Sequence, residues 1–200
     1  GVMVLNDFVY GEMLLNGSFG VSLLGGGRNR SAAIETYSLS KAYSIPGWRV
    51  GAVLGNSDIV TEIQRRKSRL DYGLFMPIQL AAAAALTAKE NLVRPAVEVY
   101  ARRIRILEQG LQRAAWQVER PSAGICVWAK IPTEMAQSDI GATATGVTAS
   151  LAQAGILAMP GNLFGSGFDS YVRFAAVLPE TELREVVRGL AGLKIANNGR

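Results

Sequence analysis

The feature that most constrains this chain is the stretch Tyr37-Ser38-Leu39-Ser40-Lys41-Ala42-Tyr43-Ser44-Ile45-Pro46-Gly47-Trp48-Arg49-Val50-Gly51. One lysine follows a short strand-like run and sits between small and hydroxyl residues. Arg49 comes eight positions after Lys41 and is framed by Gly47 and Gly51. A lysine held at a strand end among apolar neighbours can have its ammonium destabilised by desolvation, and its amine is then available to form a Schiff base. A planar guanidinium fork, together with the hydroxyls of Ser38 and Ser40, offers what a phosphate monoester needs. Amine and phosphate clamp side by side point to an aldehyde cofactor that carries a phosphate.

Pyridoxal 5'-phosphate is such a cofactor. Ser38-Leu39-Ser40-Lys41 with Gly47-Trp48-Arg49-Val50-Gly51 resembles the lysine signature of class I/II aminotransferases, the fold-type-I pyridoxal-phosphate enzymes. The resemblance implies an α/β fold: the C-terminal part of the large domain, a mostly parallel sheet with helices, followed by a smaller C-terminal α+β domain. It covers essentially the whole chain, but only the C-terminal half of such an enzyme. Within the family, Trp128-Ala129-Lys130-Ile131-Pro132 and Val172-Arg173-Phe174-Ala175 look most like the alanine/glutamate type, with the diaminopimelate type as a near neighbour.

Asp7-Phe8-Val9-Tyr10 follows a strand-like opening run, Gly1 to Asn6, that reads as a buried strand. In open α/β sheets ligands gather at the carboxyl ends of strands, so an acid there is well sited for chemistry. It also suits a helix cap, which is common. By resemblance, Asp7 pairs with the cofactor's pyridine nitrogen and Tyr10 contacts its phenolic oxygen. A carboxylate that keeps the ring protonated makes it a better electron sink. The lysine signature 34 residues downstream favours this role over the cap.

Composition excludes several other classes. Apolar residues make up 49% and charged residues 18%, which describes an ordinary globular chain. No apolar run is long enough to span a bilayer. There is no histidine, which removes the usual serine and cysteine triads and most zinc sites, so no metal is expected. Cys126, the single cysteine, sits in an apolar run and reads as a buried inert thiol; one cysteine allows no internal disulfide, in keeping with a cytoplasmic protein. The net charge is +5, with basic clusters at Arg65, Arg66, Lys67 and Arg69 and at Arg102, Arg103 and Arg105. They lack interleaved aromatics and read as solvated helix faces rather than a nucleic-acid grip.

Taken in order, Gly25-Gly26-Gly27-Arg28 reads as a loop leading into a strand Ala33 to Ser38 that delivers Lys41. A strand Val50 to Gly55 and a helix over 58–70 follow, then a break at 71–77 and an alanine-rich helix from Gln79 to Ala88. A long helix runs from Asn91 to about Ala115 with Pro95 in its first turn. By resemblance it bridges the domains, which gives 1–112 and 113–200. The remainder is α+β: strands at 116–118, 124–131, 156–159 and 171–176, a helix over 140–154 weakened by glycine and threonine, and a closing amphipathic helix from Glu180 to Leu193.

Arg173 lies in the apolar run Tyr171 to Ala176, where an unpaired guanidinium is costly. It needs a partner: a local glutamate, or, by resemblance, the substrate α-carboxylate held as a bidentate pair. The resemblance thus implies a transaminase exchanging amino groups between amino acids and 2-oxo acids. Lys41 is its catalytic residue, Asp7, Tyr10, Ser38, Ser40, Lys41 and Arg49 hold the cofactor, and Arg173 holds the substrate. It also implies a homodimer when full length, and further cofactor contacts upstream of residue 1, so that this chain alone is not expected to be competent. A lyase or decarboxylase of the same fold type, a ligand-sensing domain of a transcription regulator, and a truncated paralogue are the alternatives.

Overall fold

The computed structural model describes residues 2–25, 30–136 and 143–193. Most of the loop expected at Gly25-Gly26-Gly27-Arg28, and the start of the helix expected over 140–154, lie outside the described residues. The chain divides into two compact units, residues 1–98 and 99–200.

The first unit is built on β1 (Val4–Asp7), β2 (Ala33–Ser38) and β3 (Gly51–Gly55). They form a sheet in the order β1-β2-β3, with β1 parallel and β3 antiparallel to β2. The expectation of a buried opening strand fails: Val4 and Leu5 are 48% and 63% exposed. Among the described residues β1 pairs along one edge only, which leaves its other edge and much of its apolar surface open. The centre of the sheet is better covered. Ala33, Ile34 and Glu35 are buried, and the Glu35 carboxylate accepts hydrogen bonds from Asn6 Nδ2, Ser22 Oγ and the Leu23 backbone N–H at 2.9–3.0 Å. That satisfies a carboxylate which would otherwise be costly to bury, and it pins the segment before β2 to the sheet.

Between β2 and β3 the chain makes a single helical turn, α1 (Leu39–Ala42), and a 3-10 turn at Pro46–Trp48. Neither was expected. α2 (Ser57–Leu70) starts on Asn56, whose side chain accepts from the N–H groups of Asp58 and Ile59. Its basic face is solvated: Arg65 and Arg66 pair with Glu62, and Lys67 with Asp71. α3 (Met76–Leu86) starts earlier than the break at 71–77 suggested, because Pro77 fits the first turn of a helix. Ala82 of α3 packs with Leu39 and Val50, against Tyr37, Tyr43, Ile45, Leu74 and Ile78.

The division between units falls within α4 (Arg94–Arg113). In the second unit, β4 (Gln117–Val118), β5 (Cys126–Lys130), β6 (Met159–Pro160) and β7 (Tyr171–Ala175) form an antiparallel sheet in the order β4-β5-β7-β6. α5 (Thr133–Ala136), α6 (Ala144–Gln153) and α7 (Glu180–Leu193) complete it. Period-2 alternation sets the sheet's faces. Val127, Ala129, Val172 and Phe174 are buried at 3% exposure or less, while Trp128, Tyr171 and Arg173 point to the other side. β6 forms at 159–160 rather than 156–159, since Ile156 is spent on closing α6, its N–H donating to Leu151 O. Cys126 is half-buried, not buried, at the start of β5. No helix among the described residues is long and apolar enough to cross a membrane.

Candidate active site

Strand register brings six of the expected site residues to one end of the first unit's sheet. β1 and β2 run parallel with Asp7 opposite Thr36, and β2 pairs with β3 so that Ser38 lies opposite Gly51. The last residues of β1 and β2, and the turn that returns into β3, therefore share one end. Asp7 closes β1 and Tyr10 lies in the turn after it, 38% exposed. Ser38 closes β2, Ser40 and Lys41 form α1, and Arg49 precedes β3 by two residues. This is the carboxyl end of the parallel pair, where α/β sheets place their ligands.

Local hydrogen bonds orient several of these groups. Thr36 Oγ1 donates to Asp7 Oδ1 at 3.1 Å. Ser38 Oγ accepts from the Ser40 N–H at 3.2 Å and so caps α1, which leaves the hydroxyl proton of Ser38 to donate elsewhere. Arg49 spends one N–H on Pro46 O at 2.8 Å, which holds the side chain over its own turn. Ser44 and Arg49 both adopt φ of 56°, a left-handed conformation that costs a residue with a side chain about 1–2 kcal/mol. Two such residues within one short connection mark a turn shaped for something other than its own stability. Lys41 is half-buried in α1, which also carries the buried Leu39 and Ala42.

This donor set fits a phosphate-bearing aldehyde. A primary amine, a guanidinium fixed by its backbone, a hydroxyl with its proton to give and a carboxylate held by Thr36 are gathered at one sheet end.

Beside them stands a group that no sequence motif marks. Tyr37, near the end of β2, donates its phenol to Glu12 Oε2. Burial, reinforced by the Glu12 charge, pushes the Tyr37 phenol far above its ordinary range, and burial likewise raises Tyr43. Glu12 carries no motif that marks it; only the fold brings it to Tyr37.

Arg173 lies in the second unit, on β7, with Trp128 opposite it on β5 and Met159 on β6. Its Nε is buried without a hydrogen-bond partner, and no ion pair to it occurs among the described residues. The local glutamate considered as its partner is therefore not found among them. The guanidinium instead lies over the Phe164 ring, 4.6 Å from Cζ to the centroid.

Comparison with known proteins shows the family. The family model for aminotransferase class I and II, a pyridoxal-phosphate-dependent family, matches residues 1–190. The chain is 37% identical to the glutamate-pyruvate aminotransferase AlaC of Escherichia coli K12 over 192 residues, covering 96% of this chain and 46% of that protein. It is 35% identical to the LL-diaminopimelate aminotransferase of Gloeobacter violaceus, covering 93% and 46%. Among solved structures, an aminotransferase from Staphylococcus aureus superposes with a TM-score of 0.85 at 28% identity, covering 96% of this chain and 50% of that one. The chain thus spans about half the length of the relatives it matches. On its fold, its lysine stretch and this match, the chain belongs to the class I and II aminotransferases.

Proposed function

We propose that the protein carrying this chain is a pyridoxal-phosphate-dependent aminotransferase that moves an amino group between an L-amino acid of the alanine/glutamate kind and a 2-oxo acid. The observation that carries the reading is the gathering of Asp7, Ser38, Lys41 and Arg49 at one end of the β1–β2–β3 sheet. Residues 1–112 belong to the cofactor-binding domain in this reading, and 113–200 form the small domain.

Bound pyridoxal phosphate supplies an electron sink for the charge left when a proton departs the substrate's α-carbon. The residues of this chain do the rest. Lys41 would anchor the cofactor through its amine and, once the substrate's amine has displaced it, would serve as the free base that carries the α-carbon proton. Asp7 keeps a proton on the cofactor's ring nitrogen, and Tyr10 donates to the phenolic oxygen. Arg49 and Ser38 hold the phosphate with help from Ser40. Arg173 pairs with the α-carboxylate, which amino and oxo acids share, so one residue serves both halves of the exchange. The protein works as a cytoplasmic homodimer in this account.

The test is initial-rate kinetics of the full-length protein with alanine and 2-oxoglutarate. Parallel double-reciprocal lines with stoichiometric pyruvate and glutamate support the exchange. Release of ammonia or carbon dioxide without an oxo-acid requirement would replace it with a lyase or decarboxylase.

A further inference from the structure

The second unit builds a mount for Arg173 out of aromatic rings. Trp128 lies across from Arg173 in the β5–β7 pairing. It stacks on Tyr171 at 5.5 Å and meets Phe168 and Phe164 edge-on at 5.4 Å and 5.6 Å. Phe164 closes the 3-10 turn that follows β6, and its ring face carries the guanidinium. The backbone is arranged to deliver that ring. Gly161 is buried, and a Cβ there would stand 2.3 Å from Phe168 O and 2.6 Å from Tyr171 O, so only glycine lets the turn press against the start of β7. Gly165, at φ of 140°, takes the chain away directly after Phe164.

Among the described residues no carboxylate pairs with Arg173. Its Nε is buried and unbonded, and its guanidinium lies over an uncharged ring. A ring face attracts a guanidinium and fixes its plane without occupying the in-plane N–H fork. A salt bridge would have fixed it equally well but consumed the donors. We propose that Phe164 is a positioning residue for Arg173: its ring holds the guanidinium plane while leaving the N–H edge open for the substrate's α-carboxylate. This rests on the carboxylate-binding reading of Arg173 given above.

Three variants of the full-length protein test it: Phe164→Leu, Phe164→Tyr and Arg173→Lys. The readouts are steady-state kinetics with both substrates and the Kd for propionate, a carboxylate with no reacting group. Phe164→Leu should raise KM for both the amino acid and the oxo acid about fivefold, raise the propionate Kd alike, and change kcat less than KM. Phe164→Tyr, which keeps the ring face, should restore both. Arg173→Lys should raise both constants by tenfold or more. A Phe164→Leu protein that loses kcat with its folded fraction while KM and Kd stay put would overturn the inference, leaving Phe164 a packing residue. So would a tyrosine variant no better than leucine. If Arg173→Lys itself leaves KM and Kd unchanged, the carboxylate reading falls, and the positioning role falls with it.

Discussion

Thr36 and Asp7 face each other across the parallel pair of β1 and β2, and the threonine hydroxyl donates to the aspartate carboxylate at 3.1 Å. The bond engages one carboxylate oxygen; in the proposed function the other meets the cofactor ring. Thr36→Val keeps the β-branched shape and removes the donor, at a cost of about 1 kcal/mol. We expect it to weaken pyridoxal-phosphate binding by the full-length protein about fivefold, measured by absorbance titration. Binding as tight as in the parent would show that Thr36 does not orient Asp7.

The two glycines that frame Arg49 differ in kind. A Cβ at Gly51 would lie 2.8 Å from Tyr37 O, because β3 passes close to β2 there, whereas among the described residues nothing beyond its chain neighbours lies within 4 Å of a Cβ at Gly47. Gly51→Ala should therefore lower stability by about 1–3 kcal/mol, and Gly47→Ala by less than about 0.5 kcal/mol. Denaturant unfolding of the two variants, side by side, checks the contrast. Equal losses would mean that strand proximity is not what selects the glycine.

Burial and Glu12 raise the Tyr37 phenol above its usual value. A raised acid binds its proton more tightly folded than unfolded, so its contribution to stability is whole below about pH 10 and is lost as pH climbs through the raised range. Stability should fall above about pH 10 in the parent and fall less steeply in Tyr37→Phe. Unfolding midpoints between pH 8 and 11 read this out. Identical slopes in the two proteins would remove Tyr37 from the account.

Gly110 in α4 is buried where α7 crosses it, and a Cβ there would come 2.0 Å from Val187 Cγ1. Alanine is a better helix former than glycine, so propensity alone predicts a gain of about 0.5–1 kcal/mol. The clash should win, and Gly110→Ala should lose about 1–3 kcal/mol. The double variant with Val187→Ala should recover most of the loss, by calorimetry. A stabilised single variant would show that propensity wins.

How much could be read from the sequence depended on how local its causes are. β2, α2 and α7 were legible because strand length and helical periodicity are written within each segment. The Lys41 stretch was legible because its residue types alone state a chemistry. The exposure of β1 was not, since an apolar run looks the same whether one edge or two are paired. Nor were Thr36 and Glu12, whose partners stand 29 and 25 residues away and meet them only through strand register. For Arg173 the sequence required a partner, but could not foresee that a phenylalanine ring nine residues upstream would face it.

The most direct test is to fix the bound cofactor with borohydride in the full-length protein, digest it, and locate the modified peptide by mass spectrometry. This chain offers Lys41, Lys67, Lys89, Lys130 and Lys194 as candidate amines. The account predicts modification of Lys41 alone among them, abolished in Lys41→Ala. Modification at another lysine, or none anywhere in the chain, would contradict it.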